Sequence, residues 1–281
     1  MSVRSGAAGL RGLAVAAGAA GLVALAVVAA PAAGAAEGPA DGGGAIHPGV
    51  VTDSTGGGQC TSNFVFTADG KTYLGQAAHC AGTGNATETD GCSSGSAPVG
   101  TPVGILASDG TTRAGTLAYS SWLAMQEAGE TDPDTCAYND FALVEIAPAD
   151  VADVDPTVPF FGGPVGLDTD GLPVGEEVHS YGNSPLRQGI AALSPKSGVS
   201  AGDGGSGWTH EVLTVTPGVP GDSGSAFLDS DGDAVGVLST LNLAPLPLSN
   251  GVSDLAKAME YAKAHGLGGL ELVPGKVPFS P

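Results

Sequence analysis

Three short segments carry residue types suited to covalent chemistry: Ala77-Ala78-His79-Cys80, Asn139-Asp140-Phe141-Ala142-Leu143 and Gly221-Asp222-Ser223-Gly224-Ser225. A serine hydroxyl is a poor nucleophile near neutral pH and needs an adjacent base to take its proton. A neutral imidazole suits that task because it titrates near the working pH. A buried carboxylate can hold the imidazole in the tautomer that accepts the proton. His79, Asp140 and Ser223 therefore supply a base, an orienting acid and a nucleophile. Glycines around Ser223 let backbone amides approach a substrate oxygen and stabilise a developing oxyanion. Each string alone has an ordinary reading: a histidine beside a disulfide, an acid at a strand start, a serine in a turn. Together, and in this order, they describe nucleophilic hydrolysis. His47, His179, His210 and His265 stand in no comparable motif and are expected to be structural or solvated.

These residues must be held by short strands. Branched apolar runs recur between Gly, Pro and Asp punctuation near 63–68, 71–78, 102–107, 113–119, 140–146, 174–181, 188–194, 210–216, 224–229 and 234–241. That spacing predicts an all-β protein, a sandwich or a pair of barrels. Asp69-Gly70 is a strong two-residue turn signal between two strand-like runs. Folding the chain about it places residue 60 opposite residue 79. Among Cys60, Cys80, Cys92 and Cys136, three pairings are possible; the hairpin favours Cys60–Cys80 and leaves Cys92–Cys136. No Cys-x-x-Cys or clustered histidine spacing supports a metal instead. One helix is expected near the C-terminus, capped by Ser253, with Asp254 near its positive end, Leu255, Met259 and Ala262 on one face, and Gly266 as its stop. Asp229-Ser-Asp231-Gly-Asp233 spaces acids like the start of a calcium loop. Ala234 follows and strands flank it, so a hairpin turn is expected there.

Composition narrows the function. The 281 residues include 47 Gly and 20 Pro, which argues against long helices or coiled coils. Nine Lys and Arg face 29 Asp and Glu, for a net charge of -20, so no basic patch exists to neutralise phosphates. Nucleic acid is therefore excluded as a partner. Residues 1–36 open with Arg4 and Arg11, continue as an uncharged Ala/Leu/Val stretch and end in small residues. They are expected to be an export signal cleaved after Ala35 or Ala36, leaving no stable membrane association. Residues 37–59 follow as a flexible lead or short pro-segment. Export permits disulfides.

The three strings resemble the Ala-Ala-His-Cys, Asp-Ile-Ala-Leu and Gly-Asp-Ser-Gly-Gly motifs of chymotrypsin/trypsin-like serine peptidases, most closely the secreted bacterial type. The resemblance runs from about Cys60 to the helix near 254–265. It implies two six-stranded antiparallel β-barrels with a C-terminal helix: 60–165 carrying His79 and Asp140, and 166–281 carrying Ser223. It implies an oxyanion hole from the Gly221 and Ser223 amides, and Cys60–Cys80 matches a disulfide common in the family. Ser239 matches a serine that supports the catalytic aspartate and begins a strand that pairs with substrate. Pro217 stands six residues before the nucleophile, where trypsin-like members carry an acid, so cleavage after Arg or Lys is not expected. Pro217 is instead expected to border a pocket for a small or apolar side chain. Ser225 and Ala226 depart from the usual Gly and Pro but remain small. Asp222 is expected to hold an internal partner rather than a freed N-terminus, with Arg187 as the candidate. The implied protein is a secreted, monomeric serine endopeptidase acting on proteins or peptides without metal or cofactor. The alternatives are an esterase with the same triad, or a catalytically silent binding protein on a protease fold.

Overall fold

Glycine, proline and aspartate punctuate the apolar runs, and several strands bury one side of their pleat. Thr112–Ser120 shows this: from Ala114 to Tyr119 exposed or half-buried residues alternate with buried ones, and Ser120 is buried too. A computed structural model describes residues 42–85, 88–243 and 245–281 of the chain. The expected export signal, 1–36, and the first residues of the lead lie outside them. Among the described residues the strands are β1 (Val51–Ser54), β2 (Gln59–Thr61), β3 (Val65–Ala68), β4 (Lys71–Gln76), β5 (Pro102–Leu106), β6 (Thr112–Ser120), β7 (Ala142–Ile146), β8 (Glu177–Tyr181), β9 (Pro195–Gly204), β10 (Thr209–Val215), β11 (Ala226–Leu228), β12 (Ala234–Leu241), β13 (Asn250–Asp254) and β14 (Glu271–Leu272). The helices are α1 (Ser121–Ala128), α2 (Pro133–Tyr138) and α3 (Leu255–Ala264).

The strands form two antiparallel systems. The first is an eight-stranded sheet in the order β14-β3-β4-β7-β6-β5-β1-β2; the second is a closed six-stranded barrel, β10-β13-β12-β11-β8-β9. The all-β architecture with a C-terminal helix is as expected. The first sheet exceeds six strands because β2, of three residues, and β14, of two, add themselves at its edges. The β3–β4 hairpin turns on Asp69 and Gly70, both at positive φ, with Ala68 opposite Lys71. Two backbone positions left-handed in succession are what a tight hairpin turn demands, and Asp-Gly meets that demand at low cost.

Three expectations need correction. Residues 42–59 are not a flexible lead: Ile46 is fully buried, its amide donates to Asp153 O at 3.1 Å, and β1 pairs with both β2 and β5. Ile46 and Val50 are few anchors, but both enter the core and fasten the segment. The run 188–194 is not a strand; it holds a 3₁₀ turn at Ala191–Leu193, with Ile190 and Leu193 exposed. The strand is β9 instead, a Gly- and Ser-rich run stabilised by pairing on both sides with β8 and β10. Gly198 permits the close approach, since a Cβ there would meet Leu213 O at 2.0 Å. Finally, Asp254 rather than Ser253 caps α3, its carboxylate accepting from Lys257 N at 2.7 Å.

One core joins the two systems. Phe66 from the first sheet, Phe64 and Phe141 just ahead of β3 and β7, Leu228 and Val237 from the barrel, and Leu255 and Met259 from α3 are buried together. Phe66 and Phe141 meet edge to face at 5.4 Å. Each such ring contributes on the order of 2–3 kcal/mol by leaving water. The C-terminal strand β14 pairs with β3, so the chain end returns to the first sheet rather than staying with the barrel.

Candidate active site

His79 sits in a 3₁₀ turn, Ala78–Ala81, directly after β4. The Cys60–Cys80 disulfide ties this turn to β2, with the two Cα atoms 5.9 Å apart. Asp140 enters β7 from α2, whose own start is fixed by Asp132 accepting from Thr135 N and by Pro133 in the first turn. Cys92–Cys136 staples α2 to the loop before β5. The Asp140 backbone is held by Ser253, whose hydroxyl accepts from Asp140 N at 3.2 Å and donates to Tyr138 O at 2.6 Å.

These supports bring the side chains together. His79 Nδ1 lies 2.6 Å from Asp140 Oδ2, and the His79 backbone amide donates to Asp140 Oδ1 at 2.9 Å. Ser239 Oγ donates to Asp140 Oδ2 at 2.5 Å. Asp140 is thus buried and fully engaged, while the His79 side chain is 27% exposed toward the cleft. Burial pulls the His79 imidazole down, but the charge and hydrogen bond of Asp140 outweigh it and raise it above its ordinary value. Burial pushes the Asp140 carboxyl up; the charge of His79 and bonds from His79 and Ser239 reverse this and hold it below the usual range. Nδ1 is thereby committed to the carboxylate, which leaves Nε2 to face the cleft.

Ser223 lies in the turn between Gly221, at φ +95°, and Gly224, at φ +87°. A side chain at Gly224 would strike Thr61 O at 2.4 Å, so only glycine permits this close approach. Two residues that motif reasoning missed pin the turn from the first sheet. Thr61 donates through N to Ser223 O and through Oγ1 to Gly221 O, both at 2.8 Å, and Asn63 Nδ2 donates to Gly224 O at 3.1 Å. Among the described residues the Gly221 and Ser223 amides donate to no protein acceptor. Ser223 and His79 border one cleft together with Ser239 and Gly221. The Ser223 hydroxyl and the His79 imidazole border this cleft without a hydrogen bond between them.

Pro217, expected to border the substrate pocket, does not line this cleft; Gly218, Val219 and Pro220 do. Gly218 exchanges hydrogen bonds with the buried Asn250 amide, while Pro217 O accepts from Arg187 at 3.4 Å. Asp222 holds internal partners: Arg187, as anticipated, in a short two-point contact, and Lys196, which was not anticipated, at 3.3 Å. The acidic run 229–233 forms the β11–β12 turn, Asp229 Oδ1 accepting from Asp231 N and Asp233 N at 2.9 Å.

Solved structures resemble this fold. Thermobifida fusca protease A matches with a TM-score of 0.49 at 17% identity, covering 82% of this chain and 99% of its own. A glutamic acid-specific serine protease matches at 0.46 and 18% identity, covering 76% and 96%. The M. tuberculosis protease Rv3671c, in its inactive form, matches at 0.47 and 14% identity, covering 77% and 88%. All three are proteases. No family model and no curated protein matches the sequence.

Proposed function

We propose that the chain is a secreted serine endopeptidase of the chymotrypsin-like type. The observation that carries this is the Asp140 carboxylate: it takes His79 Nδ1, His79 N and Ser239 Oγ at once, beside a cleft that His79 and Ser223 share. Ser223 Oγ attacks the peptide carbonyl while His79 Nε2 takes its proton, and Asp140 stabilises the imidazolium so formed. The carbonyl oxygen becomes an oxyanion opposite the free amides of Gly221 and Ser223. His79 then returns the proton to the leaving amine, and water resolves the acyl-enzyme by the same path in reverse.

The wall formed by Gly218, Val219, Leu238 and Leu241 suits a small or apolar side chain, since among the described residues Glu88 is the one acid or base besides His79 lining the cleft. β11 pairs with β12 as far as Val237, and Leu238 bonds Gly224 and Ser225 beyond it, so Ser239–Leu241 keep an open edge on that side. An extended peptide can add there as a strand. Two disulfides fit an exported protein, and among the described residues no helix is long and apolar enough to cross a membrane.

The test is fluorophosphonate labelling of the mature protein beside Ser223→Ala. Labelling at Ser223 that is lost in the variant, with peptide turnover reduced by about 10⁴-fold or more, is expected. A folded protein that does not label would refute the proposal and leave a binding protein on this fold. Cleavage of esters but of no peptide would favour an esterase.

A further inference from the structure

Asp222 precedes the nucleophile, and its side chain is fully buried. Its Oδ1 accepts from Ser184 N at 3.0 Å and Arg187 Nε at 3.3 Å; its Oδ2 accepts from Val219 N at 3.1 Å and from the Arg187 guanidinium. A forked guanidinium on a carboxylate already neutralises it and fixes its plane. Yet a second cation is present. Lys196 is 0% exposed, and its Nζ stands 3.3 Å from the same Oδ2. A lysine ordinarily extends its ammonium to water, because an unmatched buried charge is costly. Here β9 carries it inward, and the chain makes room for it: a Cβ at Gly182 would lie 2.0 Å from Lys196 Nζ.

The consequence falls on the nucleophile turn. The Asp222 main chain donates to Val219 O at 2.8 Å and accepts from Ser225 N at 3.0 Å, so the residue whose carboxylate is held here also braces the turn around Ser223. Arg187 is itself tethered to Thr216 Oγ1 at 3.0 Å and to Pro217 O, in the segment just before the cleft wall. Arg187 thus divides its donors between Asp222 and that segment. Lys196 instead projects from a strand paired on both sides.

We infer that Lys196 is a positioning residue for catalysis: its buried ammonium locks the Asp222 carboxylate, and through it the Gly221 and Ser223 amides, in the orientation that receives the oxyanion. The inference rests on the endopeptidase reading. Burial acts most strongly on the Lys196 ammonium and lowers its pKa, Asp222 raises it, and Arg187 lowers it further; the ammonium is pulled down to about 8. A group titrating there loses its proton as the pH rises through that value, and the turn is then released.

The experiment compares wild type, Lys196→Met and Lys196→Arg by steady-state peptide hydrolysis and fluorophosphonate labelling from pH 6 to 10, with circular dichroism to establish folding. Lys196→Met is expected to lower kcat about 10-fold with KM little changed. It should also lose the alkaline limb near pH 8, and Lys196→Arg should recover part of kcat without restoring the limb. Wild-type kcat and an unchanged alkaline limb in folded Lys196→Met would overturn the inference. If that variant does not fold, the wild-type profile decides. A kcat limb near pH 8 with a flat KM supports the role, and a flat kcat to pH 10 removes it. Failure of the endopeptidase reading would show separately, as wild-type protein that folds but never labels.

Discussion

Replacing Thr61 by Val tests whether the nucleophile turn depends on the neighbouring sheet. The two side chains are nearly isosteric, both suit a strand, and Thr61 is fully buried in the edge strand β2. Its backbone bond to Ser223 O survives the change. What disappears is the hydroxyl, which donates to Gly221 O at 2.8 Å and accepts from Asn183 N at 3.0 Å. Each abandoned partner is only part-buried, which places its cost near the lower end of the usual range, about 1 kcal/mol each, or roughly 2 kcal/mol in all. For a chain of this size that lowers the melting temperature by roughly 4–8 °C. Activity should fall further than stability explains, because the freed Gly221 carbonyl lets the adjoining peptide rotate and misaim an oxyanion donor. Complete loss of one such donor costs about 10²–10³-fold, so a partial misalignment should cost about 10-fold in labelling rate. Thr61→Ser keeps the hydroxyl and should keep the rate. The assay is the second-order rate of fluorophosphonate labelling well below the melting temperature, beside a thermal melt. A Thr61→Val protein that labels and melts like wild type would refute the coupling.

Labelling should rise with pH as His79 loses its proton, with a midpoint above 6.5, because Asp140 raises that imidazole despite its burial. Asp140→Asn should move the midpoint downward and slow the reaction, as a rate–pH profile would reveal. His210 lies between Asp203 at 2.7 Å and Asp254 at 3.0 Å, and these acids raise it although burial opposes them. A raised folded-state value means its stabilisation is complete below the ordinary pKa of 6.5 and is lost as the pH rises through the folded value. Urea midpoints measured from pH 5 to 9 should therefore decline, and His210→Gln should flatten that decline. Removing Cys60–Cys80, separated by 20 residues, should cost about 3 kcal/mol and slow labelling, since it anchors the His79 turn. Removing Cys92–Cys136, separated by 44, should cost about 4 kcal/mol while changing the labelling rate less.

What was legible in the sequence was local. Asp69-Gly70 specified its hairpin because two adjacent residues suffice to set a turn. The three motif strings were legible for the same reason: each packs a reactive group and its immediate backbone requirements into a few positions. β9 was not legible, because Pro195–Gly204 has little intrinsic strand preference and becomes a strand through its neighbours. Ile190 and Leu193 read as strand for the opposite reason: apolar residues that no element covers. Pro217 stands six residues before Ser223, but its carbonyl meets Arg187 while Gly218, Val219 and Pro220 line the cleft, a difference that spacing along the chain does not carry. Thr61 and Lys196 lay beyond any motif, since Thr61 meets Gly221 across 160 residues of chain.

Those long separations bear on how the site comes into being. Asp140 takes its last hydrogen bond from Ser239, 99 residues away, and its backbone is held by Ser253, 113 residues away. Ser223 belongs to the barrel yet is fastened by Thr61 and Asn63 of the other sheet. On the proposed reading, neither half therefore contains a finished site: the first holds an oriented imidazole without a nucleophile, the second a nucleophile whose turn is pinned from outside. The aromatic and aliphatic residues that join the halves in one core are what bring these groups into register. Contacts of such sequence separation form only once loop-closure entropy has been overcome by burial. Hydrolytic competence should consequently appear with the final packing of the two systems against each other, and a partly folded chain would carry the three motifs without their chemistry.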